Sequence, residues 1–168
     1  AWRPEGGWLR AVKGRFGISD YTHTELEGAE VGTRFLNEAW EGRLEATHGP
    51  LGPVEGALGI QASSRDFTAI GDEAFVPPTV TDQLGVFIYE ELERGSLRYQ
   101  LGARWERQTS AVETGTLERE FSGVSLAGGV LWSLADGWIV AASLGQSTTH
   151  PSPEELFSNG PHLATGAF

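Results

Sequence analysis

Over residues 97–105 the chain alternates without a break. Leu97, Tyr99, Leu101, Ala103 and Trp105 take one parity, and Arg98, Gln100, Gly102 and Arg104 take the other. Successive side chains of an extended strand point to opposite faces, so this repeat gives one apolar and one polar surface. On a helix the same residues would scatter around the axis. The pattern recurs with Val54, Gly56, Leu58, Ile60 and Ala62 against Glu55, Ala57, Gly59, Gln61 and Ser63. Trp40, Leu44 and Ala46 oppose Asn37, Glu41, Arg43 and Glu45, and Val12, Phe16 and Ile18 oppose Lys13 and Arg15. Downstream, Val124, Leu126, Val130 and Trp132 face away from Ser125, Ala127, Gly129 and Ser133. Trp138, Val140, Ala142 and Leu144 face away from Ala141, Ser143, Gly145 and Ser147. Residues 82–91 are apolar on both faces in their middle, which leaves their orientation open. These segments predict about seven strands, most longer than the ~5 to 6 residues usual in soluble domains.

The connections alternate in length. Tight turns are expected at 49–53, 93–96 and 135–137, the last carrying the Asp-Gly hairpin signal. Longer polar loops are expected at 19–30, 64–80, 108–121 and from Thr148 onward. Short turns at one end and long loops at the other describe an up-and-down meander whose ends face different environments. Trp8, Trp40, Trp105, Trp132 and Trp138 fall near expected strand ends, where a lipid–water boundary favours amphipathic rings. The fold expected is therefore all-β: an antiparallel up-and-down transmembrane β-barrel, with residues 1–168 supplying about seven strands of a larger one. The chain begins Ala-Trp-Arg-Pro-Glu and stops at Thr165-Gly166-Ala167-Phe168, which reads as an interior fragment. A soluble carbohydrate-binding β-sandwich is the competing architecture, since Trp-rich sheets suit it as well.

Composition removes several functions. Twenty-three Asp and Glu against twelve Lys and Arg give a net charge of −11, which opposes a phosphate-binding surface and hence nucleic acid. With no Cys there are no disulfides, zinc-thiolate sites or thiol nucleophiles. No run approaches the ~20 apolar residues that a spanning helix needs, whereas a barrel strand needs only about ten in alternation. Neither Gly-x-Ser-x-Gly nor His-Glu-x-x-His occurs, and the glycines are spread through strands instead of forming a phosphate-cradling loop. We expect no enzyme and no cofactor.

Two stretches carry a family resemblance. His150-Pro151-Ser152-Pro153-Glu154-Glu155-Leu156-Phe157, continuing Ser158-Asn159-Gly160-Pro161-His162-Leu163-Ala164-Thr165, resembles the loop after a mid-barrel strand in TonB-dependent outer-membrane receptors. In that family a Glu-Leu-Tyr or Glu-Leu-Phe word follows an Arg-Ala-Pro or related tripeptide, and here Thr149 stands where Arg is common. The continuation, together with Gly71-Asp72-Glu73-Ala74-Phe75-Val76-Pro77-Pro78-Thr79 leading into residues 84–91, is similar to the zinc-uptake subgroup. The resemblance implies a Gram-negative outer-membrane protein surrounded by lipid. It implies energy-coupled uptake of a scarce metal ion or metal chelate such as a siderophore, zinc or haem. It also implies coupling to TonB through a plug domain and TonB box that these residues do not contain. A passive porin-like barrel is the alternative of a different class.

His150, Glu154, Glu155 and His162 lie within one short segment, and imidazole with carboxylate forms a reasonable shell for a divalent ion. They are the candidate ligand-binding residues, with His150 and His162 as candidate metal ligands. Their spacing matches no compact zinc signature, and an ordered Pro-rich loop with solvated charges is the plainer reading. His23 with Glu25 and Glu27, and Asp66 with Asp72 and Glu73, form acidic loops that would draw cations toward a barrel mouth.

Overall fold

The structure, a computed structural model, describes residues 2–4, 7–28, 30–71, 74–135 and 137–158. Seven strands follow one another in a single antiparallel sheet in the order β1 to β7, so every strand pairs with its neighbours in sequence. They are β1 (Leu9–Glu27), β2 (Glu30–Leu51), β3 (Val54–Gly71), β4 (Thr79–Arg94), β5 (Leu97–Val112), β6 (Glu118–Ala135) and β7 (Trp138–Gln146). One short helix, α1 (Pro153–Phe157), comes after β7. Among the described residues β1 and β7 are not joined, and the meander is open.

The ladders place the apolar parity of every strand on one side. Leu58 pairs with Ala46 and with Ile88, Ile88 with Ala103, and Ala103 with Leu126. These apolar side chains face outward: Ile18 is 77% exposed, Leu101 64% and Leu144 84%. A sheet that exposes its apolar face throughout is built for lipid, and a water-facing patch of this extent is foreign to a soluble monomer. The sandwich reading fails on this point, because no second layer covers the face among the described residues. In the segment whose orientation the sequence leaves open, Leu84, Val86 and Ile88 face outward, while Phe87 and Tyr89 face the polar side.

The band descends across the sheet. The row through Ile18 and Trp40 continues through Ser64, Asp82 and Thr109 to Glu120. The uppermost outward apolar residue on β7, however, is Leu144, which pairs with Gly128, eight residues beyond Glu120. A drop of about eight residues over six strand steps, at ~3.3 Å per residue and ~4.8 Å between strands, corresponds to a tilt of about 40°. That is the inclination of strands in outer-membrane barrels. Trp40 and Trp105 lie in the middle of long strands and mark the upper edge of the band, where Glu38 and Arg107 take over on the same face.

Three of the expected loops are mostly strand. Residues 19–27 belong to β1, 64–71 to β3, and 108–112 with 118–121 to β5 and β6. Strands of 16 to 22 residues in β2 through β6 exceed the ~9 to 11 that cross a bilayer, so they project beyond it. In the projecting part both faces meet water and the hydropathy alternation vanishes, although the backbone pairing continues. The connection from β1 to β2 is itself a tight turn with Glu27 paired to Glu30, which breaks the expected alternation of long and short connections. At the opposite end the turns fall where the sequence puts them, between Leu51 and Val54, Arg94 and Leu97, and Ala135 and Trp138. Gly52, Gly95 and Gly137 supply φ values of 68°, 63° and 84°, which other residues adopt only with strain.

One polar pair interrupts the outer face. His48, Gly56 and Glu90 lie in one row of β2, β3 and β4. The Glu90 side chain runs over the bare Gly56 backbone, and His48 Nε2 donates to its carboxylate at 3.1 Å. His48 Nδ1 donates to the Gly49 carbonyl at 3.0 Å, and the ring is 5% exposed. On β4 the apolar residues extend past this row to Leu92, so the pair sits inside the lower part of the band.

Candidate functional site

The polar face carries paired charges low in the sheet. Arg43 donates to Glu45 at 2.9 Å and lies 4.2 Å from the centre of the Phe87 ring. Arg104 and Glu106 pair at 2.8 Å. Close approach of Phe87 requires Gly59 opposite it, because a Cβ there would stand 2.5 Å from both the ring and the Leu44 carbonyl. These pairs neutralise one another and leave a wet wall suited to a lumen.

Higher on the same face the chain after β7 turns inward. Thr148 N donates to Ser125 Oγ and Thr148 Oγ1 to the Val124 carbonyl, both at 3.0 Å. The His150 ring stacks on Phe121 with centroids 6.1 Å apart. Gln108 Nε2 donates to the Pro151 carbonyl at 2.8 Å, and Glu154 pairs with Arg65 at 3.9 Å. The segment thus crosses from β6 over β5 to β3. Helix α1 starts where Ser152 Oγ accepts from Glu155 N at 3.3 Å and the Glu155 carboxylate accepts from Ser152 N at 2.8 Å. Two otherwise orphaned backbone donors are satisfied by this reciprocal cap, and Pro153 suits the first turn. Phe157 and Pro153 are buried.

Beneath the segment lies a cavity of about 580 Å³, bordered by Ser19, Glu41, Ser63, Arg65, Gln83, Gln108 and His150 among others. Its floor is hydrogen-bonded. Gln83 Nε2 donates to Gln108 Oε1 at 2.7 Å, and the hydroxyls of Thr81 and Ser110 are 3.2 Å apart. Gln108 is 4% exposed and Ser110 is fully buried. Gln108→Leu removes the anchor of Pro151 and leaves the Gln83 amide without its acceptor. We expect a cost of about 1 to 3 kcal/mol and faster protease cleavage in the 147–158 segment, read as a cleavage rate on the folded barrel.

Above the cavity four rings follow one another on the same face of β1, β2 and β3. Tyr21 and His23 have centroids 5.5 Å apart, His23 and Phe35 4.6 Å at an interplanar angle of 14°, and Phe35 and Phe67 6.3 Å. The Arg65 guanidinium lies 5.0 Å from the Phe67 ring centre, and its Nε donates to Asn37 Oδ1 at 2.8 Å.

Of the residues singled out by sequence, His150 borders the cavity, and its Nε2 is shielded from solvent without a hydrogen-bond partner. Glu154 faces Arg65, and Glu155 is occupied by the helix cap. His162 lies outside the described residues, as do Asp72 and Glu73. His23 lies in β1 and not in a loop, 3.8 Å from Glu25. Among the described residues no three His, Asp or Glu side chains converge as a metal-holding group. Sequence reasoning missed Arg65, Gln83 and Gln108, whose proximity depends on register across strands, and the Ser-Pro-Glu-Glu helix start, which was there to be read.

An open, tilted, lipid-facing meander with a charged inner wall defines a segment of an outer-membrane β-barrel. The family model described as TonB dependent receptor-like, beta-barrel, matches residues 4–168, and the chain belongs to this family. It is an outer-membrane protein of Gram-negative bacteria, and its family consists of receptors for TonB-dependent uptake, which transport and do not catalyse. The short turns then lie on the periplasmic side and the projecting strands on the cell exterior.

Proposed function

We propose that the chain forms part of the wall of a receptor that imports a metal chelate, and that the cavity under residues 150–153 contacts the chelate from outside. The observation that carries this reading is the character of the lining: amide, hydroxyl, carboxylate, imidazole and guanidinium groups are dispersed among apolar surface from Ile18, Trp40 and Pro151 around about 580 Å³. A bare ion needs three or four ligand atoms converging on one point. A chelate brings its own ligands and needs dispersed hydrogen bonds over a small-molecule volume, for which ~300 to 1,000 Å³ is usual. His150, Glu154 and His162 then act as contacts to the periphery of the chelate, and TonB acts through a plug that residues 1–168 do not include.

Uptake in native cells tests this. Cells lacking the receptor should lose accumulation of chelated radiolabelled metal while uptake of the free ion is unchanged, and His150→Ala should weaken chelate binding severalfold. Loss of free-ion uptake alone would favour direct metal ligation. Uptake that persists without the proton gradient would favour a passive porin.

A further inference from the structure

A groove of about 510 Å³ lies on the outward face of β1, β2 and β3, across the upper edge of the apolar band. Its lower border is apolar, formed by Phe16 and Ile18 of β1 and Trp40 of β2. The Phe16 and Trp40 rings stack with centroids 6.2 Å apart at an interplanar angle of 23°. Both lean over Gly42, where a Cβ would already touch the two rings at 3.6 and 3.8 Å. Trp40 is thereby turned down toward the band and away from Glu38, and the small side chain of Ser64, its partner on β3, leaves the space beside it open. The upper border is acidic. Asp20, Glu38 and Asp66 stand directly opposite one another on three successive strands, and the row turns apolar at Val80 of β4. Among the described residues none of these three carboxylates lies within ion-pair distance of a Lys, Arg or His. Like charges opposite one another across strands destabilise a sheet. On β5 and β6 the same face carries the usual remedy, with Arg107 donating to Glu120 at 2.5 Å. At the groove no neighbouring side chain supplies the countercharge. Rings at the level where acyl chains begin, with uncompensated negative charge one row above, are complementary to an amphiphile with a cationic head.

We propose that this groove binds an outer-leaflet lipid whose headgroup carries a primary ammonium. The ammonium lies among Asp20, Glu38 and Asp66, and the top of an acyl chain lies along Trp40 and Ile18. An ammonium has three donors and forms charge-assisted hydrogen bonds to separate carboxylates. A divalent cation instead requires several oxygens converging on one point, and no such convergence occurs among the described residues. A lipid whose outermost charge is a phosphate is repelled from the row.

The test uses the whole receptor in phosphatidylcholine vesicles that contain a minor fraction of phosphatidylethanolamine or phosphatidylglycerol with brominated acyl chains. Bromine quenches tryptophan on contact, and the signal of Trp40 is the difference between the wild type and Trp40→Phe. The expected result is severalfold stronger quenching of Trp40 by phosphatidylethanolamine than by phosphatidylglycerol at equal mole fraction. Trp105, measured in the same way through Trp105→Phe, should lack this preference, because the charges above it on β5 and β6 are already paired. Combining Asp20→Asn, Glu38→Gln and Asp66→Asn should abolish the preference at Trp40, and heat-shifted mobility on a gel confirms that the variant is folded. Equal quenching by the two lipids overturns the proposal, as does a preference that survives the three substitutions. Stronger quenching by phosphatidylglycerol on addition of Mg²⁺ assigns the carboxylates to a bridging divalent ion and overturns it as well.

Discussion

Leu101→Arg is expected to cost about 2 to 4 kcal/mol in a folding titration into lipid, and Gln100→Arg close to nothing. The two residues are neighbours in β5 with opposite fates. Leu101 is 64% exposed on the outward face, midway between Trp105 and Leu97, the limits of the apolar band on that strand. A guanidinium there must be desolvated or must distort the bilayer around it. Gln100 points inward, where its amide donates to Glu91 at 2.9 Å, and an Arg in its place meets water and carboxylates. Similar costs at the two positions would mean that the faces are assigned wrongly.

Gly56→Val should be the second severe change, at about 2 to 4 kcal/mol. A Cβ at Gly56 would lie well inside contact distance of the Tyr89 carbonyl and within 2.7 Å of Glu90 Oε2. The ladder between β3 and β4 must shift, and Glu90 must leave His48. An unpaired carboxylate is then turned toward lipid while the shielded imidazole loses its acceptor, which combines overpacking with a broken ion pair. Gly102→Ala is the matching control, since the nearest atom to its Cβ is the Ala127 methyl at 4.0 Å. Denaturant titrations of the two variants should differ by most of the stated cost. Equal stabilities would show that the Glu90 side chain does not depend on the bare Gly56 backbone.

Strand positions and faces within the bilayer were legible because lipid on one side and water on the other write themselves into alternate residues, as in 97–105. Above the bilayer the same backbone carries Thr22, Thr24, Val31, Thr33 and Phe35, residues that favour strands. With water on both sides their polarity looked like loop. The β-branched content was the surviving signal, and Gly28 marked the turn between β1 and β2. His150 and Glu154 were accessible to sequence reasoning because they sit in one short segment. Arg65 and Gln108 were not, because they are far apart in sequence and meet that segment only once β3, β5 and the returning chain are in register.

The descending apolar band has a consequence for assembly. Two outward rows that are level with the membrane on β1 and β7 are about eight residues apart in ladder position. Any strand added at either edge is therefore acceptable at one height alone. A slip of two residues keeps the inward and outward faces correct but displaces the bands across the seam by about 7 Å, more than a quarter of the ~25 Å that lipid covers. On the edge strand β1 the charged side chain of Asp20, which follows Ile18 on the outward face in the row of Glu38, would be the first to be dragged into it. The membrane thus acts as a gauge against which each new strand is measured, and a misaligned seam is rejected by the solvent around it before any turn or loop comes into play.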